Sequence, residues 1–306
     1  MGKSHSYHGH SHNHSHSANK KALFGALLLI TLFMVVEIIG GIVTNSLALL
    51  SDAGHMLSDS AALGLSLFAL ILGTKKATRE KTYGYRRFEI IAAALNGITL
   101  ILISLYIFYE AFQRFNQPPE IQSLGMLTIS IIGLLVNIAA AWILMKGNKE
   151  ENLNIKSAFL HVLGDMLGSV GAIAAAILIY FFDWNIADPI ASIIVAILII
   201  ISGIRVLKDA YHILMEGTPF SIDIEEVKEK IIQIPNVVSV HDLHIWSITS
   251  DMIMLTCHMT INQDAVHDEV LKQTQNLLKI SFHIEHSTVQ IEREGAYCPN
   301  NNQNCF

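Results

Sequence analysis

The chain has 306 residues, 52% of them hydrophobic and only 15% charged, and its mean hydropathy is positive, a balance too apolar for an ordinary soluble domain. The net charge of -6 is mild and its acid excess falls mostly after residue 208, so neither a nucleic-acid partner nor an acidic tail is indicated. Cys257, Cys298 and Cys305 all lie late in the chain, and an odd count there fits reduced thiols or metal ligands in the cytosol better than a disulfide framework.

Residues 1–19, MGKSHSYHGHSHNHSHSAN, are polar and low in complexity and read as a disordered tail. Histidines at positions 5, 8, 10, 12, 14 and 16 alternate there with Ser, Gly and Asn, a pattern suited to collecting Zn²⁺ weakly. A passive solubilising tail is the alternative. Six apolar runs follow, over Ala22–Val43, Leu47–Leu72, Phe88–Phe112, Ile121–Met145, Ala158–Phe182 and Ile186–Leu207. Each has about 20 residues or slightly more, enough to cross ~30 Å of hydrocarbon as a helix. The first is too long for a cleaved signal peptide and lacks a small-residue cleavage site.

The segment after the second run carries Lys75, Lys76, Arg79, Lys81, Arg86 and Arg87, the segment after the fourth carries Lys146, Lys149 and Lys156, and the opposite side has only Arg114. The positive-inside rule then places the basic segments and both termini in the cytoplasm, with the plasma membrane as the expected location. Pro219 ends the last run, and the pattern becomes that of a small soluble unit. Residues 222–234 and 266–280 read as amphipathic helices, and 237–248, 252–261 and 287–292 as strands. The expected organisation is a tail over 1–19, a six-helix transmembrane domain over 20–212 and a cytoplasmic α+β domain over 213–306. That last unit is small for a lone core, so it leans on a dimer partner or a bound metal.

HMLSD at 55–59 and HVLGD at 161–165 each place a histidine four residues ahead of an aspartate inside an apolar helix. Residues i and i+4 share a helix face, so His55 with Asp59 and His161 with Asp165 each present an imidazole beside a carboxylate. Together they make two nitrogen and two oxygen ligands, the tetrahedral set Zn²⁺ accepts, and two carboxylates cancel its charge. Neutrality matters because an unpaired charge at the centre of a membrane helix costs about 3 kcal/mol or more. The plainer alternative is a pair of polar contacts tying the second and fifth helices together. Small residues around both motifs allow those helices a close approach.

Glu37, Asn96 and Asn137 lie within the first, third and fourth runs, where lining a wet path and bonding between helices explain them equally well. Asp52 lies one turn before His55, either guiding a cation inward or ending in an interfacial loop. No His-Glu-x-x-His is present, and Val162 occupies the first glycine position of a Gly-x-Gly-Asp motif, which argues against intramembrane proteolysis and against an enzyme in general.

The segments NSLALLSDAGHMLSDSAALG, YGYRRFEIIAAALNG, LHVLGDMLGSVGAI, DPIASIIVAILI, LMEGTP, VHDLHIWSIT and STVQIE resemble the cation diffusion facilitator family, above all its bacterial zinc, cobalt and cadmium exporters, in order from about residue 20 to 292. The resemblance implies a homodimer of six-helix protomers with cytoplasmic ferredoxin-like domains. It also implies exchange of Zn²⁺ for H⁺ through His55, Asp59, His161 and Asp165. His241, His258, His267, His286 and Glu292 fall at or near family positions for a regulatory zinc cluster, and Cys298 resembles a tail cysteine of some relatives. A solvated histidine is the plain reading of each. By strand alternation His241 and His244 should lie on opposite faces, as should Cys257 and His258, so at most one of His241 and His244 serves a given site. Where some members carry an Asp and two His as a further metal site, this chain has Thr78, Lys81 and Tyr85. Arg87 is expected to pair with Glu216, or else to act as a basic anchor at the membrane surface.

Metal ligands must be deprotonated, so protons arriving from outside favour release there and the cytoplasm favours loading, which makes export by antiport the expected direction. A membrane-bound metal sensor that moves no ion is the rival, and it leaves the two intramembrane pairs without a task. Deleting residues 1–17 is expected to slow transport at low free zinc while leaving the maximal rate intact, since a disordered collector alters supply and not the crossing step. Initial rates across a range of buffered zinc check this, and loss of the maximal rate would assign the tail a gating role.

Overall fold

The computed structural model describes residues 13–57, 60, 77–145, 153–249 and 252–293. The chain divides into two compact units, Met1–Leu63 with Asn96–Ile204 and Gly64–Leu95 with Arg205–Phe306. Its helices begin with α1 (Asn13–Thr44) and α2, helical over residues 47–57. They continue with α3 (Phe88–Asn116), α4 (Ser123–Met145), α5 (Leu153–Phe182) and α6 (Ala187–Leu214). Among the described residues four stretches, Phe88–Asn116, Ser123–Ile143, Gly164–Phe182 and Ala187–Leu214, are long and apolar enough to cross a membrane, and Leu28–Thr44 of α1 is a shorter apolar one. Nearly all of the second expected span beyond residue 57 lies outside the described residues. α1 begins at Asn13, inside the stretch expected to be a disordered tail. A helix nucleated by an apolar run extends into polar sequence at little cost, because each added residue gains a backbone hydrogen bond.

In the helical unit α4 packs between α1 and α5. Alanines of α5 bring it close to its neighbours. Ala172, Ala175 and Ala176 of α5 meet Ala48 and Leu49 of α2, Met126 of α4 and Ala187 of α6. Leu47 of α2 packs with Leu100, Ile107 and Ala111 of α3 and with Ala196 and Ile199 of α6. A Cβ at Gly133 of α4 would lie 2.8 Å from the Phe33 ring of α1, so that approach needs the glycine. Outward the side chains are large and apolar, with Leu102, Phe112, Leu135, Phe181 and Ile194 all exposed. Water would make such a surface untenable, whereas lipid solvates it, and van der Waals packing of small residues then holds the helices together. The fold is that of an α-helical membrane protein joined to a small α+β unit.

That unit comprises α7 (Ile224–Ile232), β1 (Val237–Thr249), β2 (Met252–Ile261), α8 (His267–Phe282) and β3 (His286–Arg293), close to the spans read from the sequence. Asp223 caps α7 by accepting the Glu225 N–H at 2.9 Å, satisfying one of the free donors at a helix start. Val227 and Ile231 give α7 its buried face. α8 ends at His283, which adopts a left-handed φ of 56°, and the Ile284 N–H then bonds the Leu278 carbonyl at 3.1 Å. The sheet order is β1-β2-β3, antiparallel between β1 and β2 and parallel between β2 and β3, with α8 as the crossover that a parallel pair requires.

On β2 Leu255, Cys257, Met259 and Ile261 enter the core, leaving Thr256, His258 and Thr260 on the other face. Cys257 is 1% exposed, and burial pushes its thiol up to about 12. It is therefore expected to resist iodoacetamide at pH 8 in the folded protein and to react once guanidinium unfolds the domain, because the thiolate is the reactive form. Peptide mass spectrometry before and after unfolding checks this, and equal labelling in both states would contradict the burial.

Candidate metal sites

α2 and α5 bring one imidazole and one carboxylate of the two sequence pairs together. His55 Nε2 on α2 lies 3.7 Å from Asp165 Oδ1 on α5, with the Asp165 side chain 1% exposed and the His55 side chain 22% exposed. His161 sits one helical turn before Asp165 on α5, and its side chain is outside the described set, as is the whole of Asp59. Asp52 is buried three residues before His55. A Cβ at Gly168 of α5 would lie 2.9 Å from Asp52 Oδ1, so this glycine lets α5 pass the carboxylate. Glu37 on α1 and Asn137 on α4 are buried as well, and Asn137 donates to Ser169 Oγ at 3.3 Å. Asn96 is buried on α3.

The loop before α3 closes on itself. Thr78 and Lys81 exchange backbone hydrogen bonds of 3.1 and 3.2 Å, and the Lys81 ammonium stands 4.3 Å from the centre of the Tyr85 ring. Lysine, threonine and tyrosine at these three positions offer a cation–π contact in place of an imidazole and carboxylate ligand set. At the start of α3 Arg87 Nη2 donates to Glu216 Oε1 at 3.0 Å, but the two side chains are 37% and 64% exposed, so solvent screens the pair to about 1 kcal/mol at most.

In the α+β unit the sheet collects a second group of donors. His241 of β1 is in register with His258 of β2, and Glu292 of β3 sits opposite Thr260. One donor atom from each of His241, His258 and Glu292 lies within 4.8 Å of the other two. His258 Nδ1 is 3.3 Å from Glu292 Oε1, and His241 Nε2 is 3.6 Å from Glu292 Oε2. Two imidazoles and a carboxylate, partly shielded, suit Zn²⁺ with a fourth ligand from solvent or elsewhere. His267 opens α8 and His286 opens β3, both exposed, and among the described residues neither joins this group. His286 instead sets its ring edge-on to Tyr83, with centroids 6.3 Å apart. Cys298 lies outside the described residues.

The expectation that His241 and His244 lie on opposite faces does not hold. A register shift between them marks a bulge, with Asp242 at a left-handed φ of 52°. An extra residue resets the alternation. Val240, Leu243 and Ile245 are buried, and His241, Asp242 and His244 are all left on the outer side. Asp242 thereby joins the chemistry, a residue the sequence reading missed. It bonds His244 Nε2 at 3.0 Å and reaches to 3.6 Å from His258 Nε2, flanking the group of His241, His258 and Glu292 with a second carboxylate. The paired histidines around it were the available signal, but the bulge was not.

Apolar spans around a half-buried imidazole and a buried carboxylate, joined to a sheet bearing metal-type donors, define a multi-pass membrane protein that handles metal cations. Residues 23–215 match the cation efflux transmembrane domain and residues 219–294 match the cytoplasmic domain of cation efflux proteins. The chain belongs to the cation efflux, or cation diffusion facilitator, family. It is 54% identical over 299 residues to a cadmium, cobalt and zinc/H(+)-K(+) antiporter of Bacillus velezensis, covering 95% of this chain and 92% of the relative. It is 43% identical to the zinc transporter ZitB of Escherichia coli over 87% of this chain and 85% of that protein. A solved metal-bound C-terminal domain of a CzcD transporter is 41% identical, over 23% of this chain and 99% of that one, with a TM-score of 0.22.

Replacing His258 with Ala is expected to remove one bound Zn²⁺ per protomer from the full-length protein in detergent, because it is the imidazole that touches carboxylates on both sides. His244→Ala, outside the close group, is expected to retain that ion. Metal stoichiometry after gel filtration checks both, and full retention by His258→Ala would dismiss the group as a metal centre.

Proposed function

We propose that this protein exports Zn²⁺, with Cd²⁺ and Co²⁺ as further cargo, from the cytoplasm in exchange for H⁺, using His55, Asp59, His161 and Asp165 as a tetrahedral site between α2 and α5. The approach of His55 to Asp165 at 3.7 Å carries this reading. It unites one member of each sequence pair across the seam of two apolar helices, and the i, i+4 spacing assigns the other two ligands to the same faces. Relatives bearing zinc, cadmium, cobalt and H(+) in their names support the cargo and the counter-ion. The Bacillus name adds K(+), which the sequence reading did not include. The family carries ions, and the reading is of a carrier and not of an enzyme.

The mechanism follows from ligand protonation. Zn²⁺ binds deprotonated imidazole and carboxylate, and a proton arriving at the same atoms from the outer side competes with it. Exchange of one Zn²⁺ for one H⁺ moves net positive charge outward against about 2.3 kcal/mol per 100 mV, so a proton gradient or a further counter-ion must drive it. Both termini lie in the cytoplasm, two protomers pair through the C-terminal domains, and Zn²⁺ at His241, His258 and Glu292 regulates the carrier from that side. Sealed vesicles with the cytoplasmic face outward test the central reading. Wild-type protein is expected to accumulate Zn²⁺ with counterflow of H⁺, and Asp165→Ala to fall to background. Accumulation by Asp165→Ala at the wild-type rate would overturn the four-ligand site, while binding without movement in the wild type would make the protein a sensor.

A further inference from the structure

Asp188, in the first turn of α6, is fully buried at 0% exposure, and its carboxylate serves a different helix. Oδ1 accepts from the Ser46 hydroxyl at 2.7 Å and from the Ala48 N–H at 3.1 Å, and Oδ2 accepts from the Leu47 N–H at 2.8 Å. Ser46 Oγ in turn accepts the Leu49 N–H at 3.2 Å. The opening N–H groups of a helix have no partner within it. Here those of α2 are taken by a serine cap and by a carboxylate from α6, whose negative charge also suits the positive end of the α2 dipole. Arg114, near the end of α3, closes the arrangement. Its Nη1 donates to the Asn45 carbonyl at 2.6 Å and lies 3.6 Å from Asp188 Oδ2, and its Nε donates to Glu110 at 3.0 Å. Asn45 itself adopts a left-handed φ of 57°, where the chain turns from α1 into α2.

We propose that Asp188 is a positioning residue for metal transport, fixing the height and rotation at which α2 presents His55 to Asp165. The inference rests on the reading of His55 and Asp165 as metal ligands. His55 follows Ala48 by two helical turns, roughly 10 Å along α2 and on nearly the same side. A stiff helix passes any slide or rotation at its capped end to the imidazole, while Asp165 stays on α5. α6 holds none of the proposed transport ligands, so its carboxylate acts on the metal only through α2. Ligand geometry sets both affinity and the choice between metals, whereas a purely structural role would change the yield of folded protein and nothing in its kinetics.

The test uses full-length protein in proteoliposomes. Asp188→Asn keeps the side-chain shape but removes the charge and turns one accepting oxygen into a donor that faces an N–H. It is expected to raise the KM for Zn²⁺ about tenfold, equivalent to about 1.4 kcal/mol, and to shift the Zn²⁺/Cd²⁺ competition ratio, with the maximal rate held within about twofold. Ser46→Ala leaves the two backbone contacts to Asp188 and is expected to shift KM and competition in the same direction by less. Wild-type KM and competition in both folded variants would overturn the proposal. If Asp188→Asn does not fold, unchanged KM in Ser46→Ala overturns it and a raised KM sustains it. His55→Ala, measured alongside, separates the two levels: transport by that variant with wild-type KM would remove the metal-site reading itself, whatever Asp188 does.

Discussion

Hydrocarbon supplies no counter-charge and no hydrogen bond, so each polar group carried into the helical unit must be answered by another part of the same chain. Much of the architecture follows from that demand. Asp188 of α6 is matched by Ser46, the first N–H groups of α2 and Arg114, and Asp165 of α5 is faced by His55. Such pairs span different helices, and they form only where helix axes come close. The alanines and glycines of α2, α4 and α5 give that closeness, which in turn pushes bulky apolar side chains outward to the lipid.

The α+β unit meets the same chemistry under a different solvent. Its carboxylates and imidazoles stand on the outer face of a three-stranded sheet, and the apolar face is closed by α7 and α8. Here the cost of ionisable groups is low, and what matters is geometric convergence. Register brings His241 beside His258, the parallel pairing of β3 delivers Glu292, and the bulge turns Asp242 toward His258 from the opposite side. An alternating row of carboxylate and imidazole runs across the strands from His244 to His241.

Local rules read most of this from the sequence. The i, i+4 spacing of His55 with Asp59 and of His161 with Asp165 needs only helix geometry to suggest a shared face, and the alternation of Leu255, Cys257, Met259 and Ile261 specifies a half-buried strand. Three features resisted. The bulge at Asp242 depends on a left-handed residue that is not glycine, so composition gave no warning of it. The clamp between Ser46 and Asp188 joins residues 142 positions apart, beyond any periodicity argument, and Arg114 looked like a stray cation on the side poor in them. The first turns of α1 carry no apolar pattern of their own and are helical by extension from the apolar turns that begin near Ala22.

The parallel pairing of β2 with β3 has a consequence for biosynthesis. Parallel neighbours cannot close through a tight hairpin, so β3 reaches its place only after α8 has been made and has folded across the sheet. A nascent chain that has delivered every membrane helix, and both strands bearing the cluster histidines, still lacks Glu292. Domains fold in order as they leave the ribosome, so the donor set in the sheet is assembled after the membrane helices. A translation product stalled after β2 carries the apolar helices into the bilayer while its imidazoles stand without the carboxylate that gathers them.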